Sequence, residues 1–163
     1  MQLQNNTMSM EPLKSNGMFP GISPDLSSRD KVNLLELEMA KQPQVTLEVK
    51  HHFSYGIYGR ELFIPAGVML TGKIHKYPQL NVLTLGEMSV LVGDEVRRIA
   101  APFTVVSEAG TKRIALAHTD CIWLTIHGTH ETDLEAIETK FIAQSEKEYL
   151  EYCGQMRLLN ADA

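Results

Sequence analysis

The chain has 163 residues, of which 44% are hydrophobic and 21% charged, enough for one globular domain with a buried core. Its formal net charge of −5 has the wrong sign for neutralising many phosphates, so no nucleic-acid polymer is expected as a partner. The apolar runs fall short of the roughly 18 residues of a membrane span, so no membrane partner is expected. Two cysteines, Cys121 and Cys153, and the lack of a secretory signal pattern predict a cytoplasmic chain with reduced thiols.

Residues 1–28 have the composition of a loop, because Asn, Ser, Gly and Pro are interspersed with single apolar residues that follow no period. We expect a flexible arm that is disordered in a monomer or laid across a second subunit. The apolar anchors available for such packing are Met8, Met10, Met18 and Phe19.

A short helix is predicted over residues 29–44. Ser27 or Ser28 is suited to cap it, Asp30 places an acid in the first turn, and Pro43 ends it. Its apolar residues are Val32, Leu34, Leu35, Leu37 and Met39.

Residues 45–130 consist of short segments rich in Val, Ile, Thr, Phe and Leu, separated by turn residues. Gly93-Asp94 between two such segments predicts a hairpin. Because no helical pattern lies between the strands, a parallel β/α sheet is excluded and a sandwich or barrel is predicted. The candidate strands are 45–53, 56–64, 68–76, 80–85, 88–92, 95–100, 104–106, 112–117 and 121–127.

Residues 131–163 are predicted to be a C-terminal helical segment. Thr132 or Asp133 caps a first helix, and Ser145 begins a second that Gly154 closes. This segment holds eight acidic and three basic side chains, which indicates a solvated face, whereas residues 47–130 hold seven and eight. An anion site is therefore expected in the middle of the chain.

Two glycine turns carry a resemblance to a known family. Ile64-Pro-Ala-Gly67 leads through Gly72-Lys-Ile-His75 to Gly86, and the stretch 101–113 contains Ala109-Gly110 before Arg113. These stretches resemble the two motifs of cupins, which implies a mainly β fold: a double-stranded β-helix barrel with an N-terminal arm and short flanking α-helices. The segments that further resemble small cupin-like proteins of tailed bacteriophages are His51-His52-Phe53, Arg60, Cys121-Ile-Trp123 and Thr-Ile-His127.

The resemblance implies that the standard cupin metal site is lost. Cupin enzymes hold a metal through two histidines and a glutamate in the first motif and a histidine in the second. Carried over, His75 is retained, Tyr77 replaces the second histidine, the glutamate falls near Asn81, and Arg113 replaces the last histidine. Since neither arginine nor neutral tyrosine is a usual ligand, no metal or other cofactor is expected. An alternative set that would rebuild a metal site is His75, His118 and His127.

Alternate residues of a strand share a face, so Thr71, Lys73, His75 and Tyr77 are expected to point the same way. If the polar faces line the barrel mouth, as the resemblance implies, cations, donors and an aromatic ring converge there. Arginine offers a fork for carboxylate or phosphate, lysine a point charge and tryptophan a stacking surface, which suits a small anionic, nucleotide-like or sugar-acid ligand. The predicted ligand-binding residues are Lys73, His75, Tyr77, Asn81, Arg113, Trp123 and His127.

Each of these residues also has a purely structural interpretation. Lys73 and Lys76 could protect a strand edge, and His75 and Trp123 could belong to the core. Arg113 could pair with Glu108 or Asp120. Cys121 and His127 are not promoted to a nucleophile and base, because nothing in the sequence locates a third, orienting group.

Three functional hypotheses remain open at this stage. The first is a cupin-like binding protein of phage origin that holds a small anion without a metal, for example to sequester a nucleotide signal in the cytoplasm of an infected bacterial host. The second is a metal-dependent isomerase or dioxygenase, and the third is an oligomeric assembly protein whose barrel is only a scaffold. A homo-oligomer, with a dimer favoured, is expected because the arm and terminal helices are more apolar than one small barrel requires.

Overall fold

A computed structural model describes residues 7–9, 25–92 and 95–161, and within them the chain is mainly β. The strands are β1 Thr7–Ser9, β2 Val49–Ser54, β3 Ile57–Ile64, β4 Val68–Thr71, β5 Ile74–His75, β6 Gln79–Leu85, β7 Glu87–Val92, β8 Glu95–Ala100, β9 Phe103–Ser107, β10 Ile114–Ala117, β11 Cys121–Gly128 and β12 Ile142–Ala143. The helices are α1 Ser28–Met39, α2 Leu134–Phe141 and α3 Glu146–Ala161.

The strands form two five-stranded antiparallel sheets with the orders β2-β3-β11-β6-β9 and β1-β4-β10-β7-β8. Without the outer strands β1 and β2 and the short pair β5 and β12, eight strands remain, in the orders first-eighth-third-sixth and second-seventh-fourth-fifth. This is the strand order of a jelly roll, the architecture of the cupin barrel. The predicted fold class, a cupin-like β barrel with short flanking helices, is confirmed.

Most of the predicted arm lies outside the described residues. Its segment Thr7–Ser9 forms β1, an edge strand on β4 in which Met8 lies opposite Met69. The sequence pattern contained no strand signal for this segment. The predicted hairpin is present, because β7 pairs with β8 and Val92 lies opposite Glu95.

The core lies between the two sheets, and α1 packs on the outer face of one of them. Nine buried side chains form the inner cluster: Leu62, Ile64, Val68, Leu70, Leu83, Met88, Val90, Ala117 and Cys121. Val32 and Met39 of α1 belong to a second cluster, whose other members are Met69, Leu91, Ile114 and Leu116. Burial raises the pKa of the Cys121 thiol, as expected for a reduced core cysteine.

The predicted strand 68–76 is interrupted, and this changes which side chains share a face. The Gly72 amide donates to the Arg113 carbonyl at 2.8 Å, and β4 ends one residue earlier. Thr71 faces α1, where its hydroxyl donates to Glu36 at 3.0 Å. The expectation that Thr71 shares a face with Lys73 and His75 is therefore wrong, because the alternation stops at the break.

The predicted helix starts are confirmed, but two predicted ends are wrong, because α1 ends at Met39 instead of at Pro43 and α3 does not stop at Gly154. Ser27 caps α1 and Asp133 caps α2. Helix α3 continues through Gly154 to Ala161, since Gly154 does not adopt the positive φ of a helix-ending glycine and a helical glycine costs only about 1 kcal/mol relative to alanine. None of the helices in the described part of the chain is long and apolar enough to cross a membrane.

Candidate functional site

The register of the sheet β2-β3-β11-β6-β9 arranges its inward side chains in rows that cross the strands. The first of three neighbouring rows, which we call the floor, is apolar and consists of Val49, Leu62, Trp123, Leu83 and Phe103. The next row is His51, Arg60, Thr125, Asn81 and Val105. The last row contains Phe53, Tyr58, His127, Gln79 and Ser107. The mouth, as used below, comprises the last two rows together with Lys73, His75 and Arg113.

A chain of hydrogen bonds crosses the mouth. Thr125 Oγ1 donates to Asn81 Oδ1 at 2.9 Å, and Asn81 Nδ2 donates to Ser107 Oγ at 2.7 Å. Ser107 Oγ also accepts from Arg113 Nη1 at 2.5 Å. Because Thr125, Asn81 and Ser107 are all buried, this chain holds one nitrogen of the arginine at a fixed place.

The loop before β10 positions Arg113. Gly110 has φ +76°, and the space where a Cβ would lie is filled by the ring of Tyr149, 2.5 Å away, so only glycine fits this turn. The Gly110 amide donates to the His75 carbonyl at 2.8 Å. The loop is thus held against His75, and the chain then enters β10 with Arg113 directed toward Ser107.

Arg113 is a half-buried cation without a carboxylate partner among the described residues. The alternative pairing with Asp120 is not observed, since Asp120 accepts instead from the Ala66 amide at 2.9 Å, and no ion pair with Glu108 is present in the described ranges. Burial alone lowers the pKa of Arg113. Its guanidinium uses one of five donors, which leaves the others for a ligand.

Arg60 is a second cation of the mouth, and the sequence analysis did not include it among the site residues. It lies opposite Thr125, and its guanidinium has no hydrogen-bond partner in the described part of the chain. Burial lowers the pKa of Arg60, opposed by attraction to Tyr58 and Glu138. The available signal was its position on β3 between Tyr58 and Leu62, a charged residue on an otherwise buried face.

Helix α2 brings a single carboxylate to this region. Lys73 Nζ lies 3.1 Å from Glu138 Oε1, which also accepts from Gln144 Nε2 at 3.1 Å. Burial lowers the pKa of Lys73, and the hydrogen bond to Glu138 opposes that change. Lys76 is a partner of the C-terminal helices, because its Nζ lies 2.8 Å from Glu148 and donates to the Thr139 carbonyl at 3.0 Å.

Aromatic rings stack across the mouth beneath α2. The His127 ring centroid lies 5.1 Å from that of His75 and 4.3 Å from that of Phe141. Burial lowers the pKa of His127 to about 4. It lowers the pKa of His75 to about 3, with a further contribution from the neighbouring His127, Arg60 and Lys73. Both imidazoles are therefore neutral at pH 7.

Three buried polar atoms of the mouth have no hydrogen-bond partner. They are Nδ1 of His75, Nδ1 of His127 and Oε1 of Gln79, while only one other such atom, Nη1 of Arg29, occurs in the described ranges. Orphaned buried polar atoms are rare and costly in native proteins. Their clustering at one end of the barrel indicates that something outside the chain satisfies them.

The structure brings together five of the seven residues predicted to bind a ligand: Lys73, His75, Asn81, Arg113 and His127. Tyr77 does not join them, because it is 38% exposed and packs edge-on against Phe141 and Tyr152. Trp123 lies in the floor and packs against the core cluster, which matches its structural interpretation. Gln79 was missed because a lone glutamine at the start of a strand carries no sequence signal.

A resident metal does not fit this set of side chains. Of the four positions compared with cupin ligands, Tyr77 lies outside the mouth, Asn81 is held by Ser107 and Thr125, and Arg113 is a cation, so His75 is the one metal-binding side chain left among them. His118 lies at the other end of β10, where its Nε2 is 2.6 Å from Ser89 Oγ, and it does not join His75 and His127. No group of three His, Cys, Asp or Glu side chains gathers within the described ranges.

No protein-family model and no curated protein matches this chain. Solved structures similar to it include KdgF from Halomonas sp., with 15% identity, a TM-score of 0.46 and coverage of 54% of this chain and 83% of that one. A cupin superfamily protein from Desulfitobacterium hafniense has 10% identity, a TM-score of 0.45 and coverage of 56% and 85%. An acetylacetone dioxygenase from Acinetobacter johnsonii has 16% identity, a TM-score of 0.42 and coverage of 66% and 77%. Similarity at this level says nothing about activity, and the jelly-roll assignment rests on the strand order.

Proposed function

We propose that the mouth binds a small organic anion without the help of a metal. The observation that carries this proposal is Arg113, a half-buried cation fixed by Ser107 that has no carboxylate partner in the described ranges. A buried charge without a counter-charge is costly. An anionic ligand supplies the missing counter-charge.

The charge balance of the mouth supports the same conclusion. Arg60, Lys73 and Arg113 are positive, whereas the carboxylate of Glu138 contacts Lys73 and attracts Arg60. His75 and His127 add no charge at pH 7, because burial keeps both neutral. Two positive charges are thus left in excess on partly buried side chains, where they attract an anion more strongly than on a fully exposed surface.

A narrower form of the proposal is a nucleotide-like ligand, sequestered in the cytoplasm of a phage-infected host. It requires a ring surface for the base, and Trp123 does not provide one because it packs in the floor. The rings of Tyr58, His127 and Phe141 would have to serve instead. A panel of nucleoside monophosphates beside simple organic acids separates this form from the general one.

The test compares the wild type with two variants of Arg113 against a panel of organic acids and nucleotides, with binding followed by thermal shift and isothermal titration calorimetry. We expect Arg113→Ala to abolish binding and to leave the fold intact. Arg113→Lys should bind weakly, because a point charge cannot reproduce the planar fork. Arg157→Ala, at an exposed arginine of α3, is the matched control and should bind like the wild type.

Two results would contradict the proposal. If Arg113→Ala unfolds, or loses several degrees of melting temperature without any ligand, Arg113 is a structural residue. If no anion of the panel binds the wild type, the excess positive charge of the mouth does not serve ligand binding.

A further inference from the structure

We infer that the ligand carries an acidic group at each end and hydroxyl groups between them, as a hydroxylated dicarboxylate does. This inference rests on the proposed function and concerns the same site. It follows from the placement of the two guanidinium groups and from the orphaned atoms between them.

The two arginines lie near opposite edges of the same inner sheet face. Arg60 lies on β3, whereas Arg113 is bonded to Ser107 on β9, and the strands β11 and β6 lie between them. Three strand spacings separate the backbones by about 14 Å. Because Ser107 is itself held by Asn81, Arg113 is retained on its own side of the mouth. Arg60 has no hydrogen-bond partner in the described part of the chain, and the inference assigns it a second acidic group of the ligand.

The electrostatic environments of the two arginines are also separate. The charge of Arg60 interacts with Glu138, Lys73 and Tyr58, and Lys73 in turn interacts with both Arg60 and Glu138. None of these charges contributes to the lowered pKa of Arg113. Glu138 offsets one of the two neighbouring cations Arg60 and Lys73, so these three side chains together carry one excess positive charge. Arg113 carries a second excess positive charge on the other side of the mouth. Each excess charge matches one carboxylate.

Two of the three orphaned atoms of the mouth lie on the strands between Arg60 and Ser107. Gln79 is on β6 and His127 on β11, and both side chains are more than nine-tenths buried. Oε1 of Gln79 is an acceptor that lacks a donor, and Nδ1 of a neutral imidazole is either a donor or an acceptor. A hydroxyl group can do both, so hydroxyls on the middle of the ligand would satisfy these atoms, whereas a plain methylene chain would leave them orphaned.

Three six-carbon acids test the two parts of the inference, with binding to the full chain measured by calorimetry at constant ionic strength. Galactarate has two carboxylates and hydroxyls between them, gluconate keeps the hydroxyls with one carboxylate, and adipate keeps both carboxylates without hydroxyls. We expect galactarate to bind at least about tenfold more tightly than either of the others. Tartrate, glycerate and succinate repeat the comparison for a shorter ligand, and inorganic phosphate represents a dianion with a single centre.

Substitutions at Arg60 and at Arg113 test the binding of the two ends of the ligand separately. Arg60→Gln and Arg113→Gln should each weaken galactarate binding by about tenfold or more, toward the affinity of gluconate. Arg157→Gln at an exposed site should leave it unchanged. Should Arg60→Gln not fold, Arg60→Lys keeps the charge without the fork and should give a smaller loss of affinity.

Each alternative outcome contradicts one part of the inference about the ligand. If the one-carboxylate acid binds as tightly as the diacid in both sets, or phosphate binds as tightly as the best diacid, the ligand has one acidic centre and the proposed function alone survives. If adipate and succinate equal their hydroxylated counterparts, the hydroxyl part is wrong. An unchanged galactarate affinity in Arg60→Gln removes Arg60 from the site. If neither these acids nor the wider panel bind, the proposed function fails as well.

Discussion

The floor and the mouth are built from the same strands, two residues apart, yet they differ in what their side chains leave unsatisfied. Leu62 and Leu83 of the floor are buried in the inner core cluster, with Trp123 packed against them. In the mouth, His127 and Gln79 are as deeply buried and keep polar atoms without partners. Proteins tolerate such local violations at functional sites, which supports the proposal that the strands of this barrel stabilise the fold at one end and serve ligand binding at the other.

The largest expected effect that distinguishes the mouth from the floor is the pH dependence of stability. The pKa of His127 is about 4 and that of His75 about 3 in the folded chain, against 6.5 for each as the unperturbed value. Above pH 6.5 both states of the protein hold these rings neutral, and the shifted pKa values cost nothing. Between pH 6.5 and 4 the unfolded chain alone takes up the protons, so the free energy of unfolding should fall by about 1.4 kcal/mol per pH unit for each histidine.

Urea unfolding at pH 7, 6, 5 and 4 measures this dependence. His127→Gln cannot titrate and should remove about half of the slope, and His75→Gln should do the same. If the free energy of unfolding of both variants falls with pH as steeply as that of the wild type, other groups cause the loss of stability in acid. Burial then does not lower the pKa values of the two imidazoles.

A cavity in the floor should have the next largest effect. Leu83 is fully buried in the core cluster, so Leu83→Ala should lower the free energy of unfolding by about 3 kcal/mol. The matched control is Leu85→Ala on the same strand, where the side chain is 48% exposed and the loss should stay below about 1 kcal/mol. Equal losses in urea unfolding would show that the floor is not the stabilising half of the barrel.

Two amides of β6 allow a finer comparison within the mouth itself. Asn81 is satisfied by Ser107 and Thr125, so Asn81→Leu leaves the buried Thr125 hydroxyl without a partner, removes one of the two bonds of Ser107 and should cost about 1–3 kcal/mol. Gln79 has an orphaned oxygen, so Gln79→Leu should be neutral or slightly stabilising. The free energies of unfolding of both variants are measured by urea unfolding of the ligand-free protein. A loss in Gln79→Leu as large as in Asn81→Leu would mean that Gln79 has a structural partner in solution.

The sequence predicted the barrel well, because period-two alternation and turn residues mark strands directly. Most of the strands are within a few residues of their predicted bounds. The error at Thr71 and Tyr77 has a definite cause: the pattern 68–76 alternates as if continuous, whereas β4 ends at Thr71 and β5 begins only at Ile74, so Gly72 and Lys73 break the alternation. The Gly72 amide still bonds to the Arg113 carbonyl in the register of β4 and β10, and nothing in the local pattern marks where that pairing stops.

The candidate site was predictable only in part, for a related reason. Lys73, His75, Asn81, Arg113 and His127 lie on polar faces next to recognisable turns. Gln79 carries no local signal, and the signal of Arg60 is limited to its place between Tyr58 and Leu62 on an otherwise buried face of β3. The role of α2 was equally hidden, because an acidic residue on a C-terminal helix is ordinarily solvated, and the contact of Glu138 with Lys73 joins positions 65 residues apart.

The smallest expected effect is that of divalent metal ions on the mouth, and it separates an anion site from a rearranged metal site. Zn²⁺, Mn²⁺, Fe²⁺ or Ni²⁺ at the mouth would meet the cations Arg60, Lys73 and Arg113, and His75 and His127 would be the imidazoles left to bind it. We therefore expect purified protein to carry no stoichiometric metal by elemental analysis, and added Zn²⁺ to leave the melting temperature unchanged. The comparison includes His75→Ala, because weak binding of zinc to surface histidines would persist in that variant. One metal per chain that is lost in His75→Ala would contradict the anion site and favour a metal-dependent enzyme.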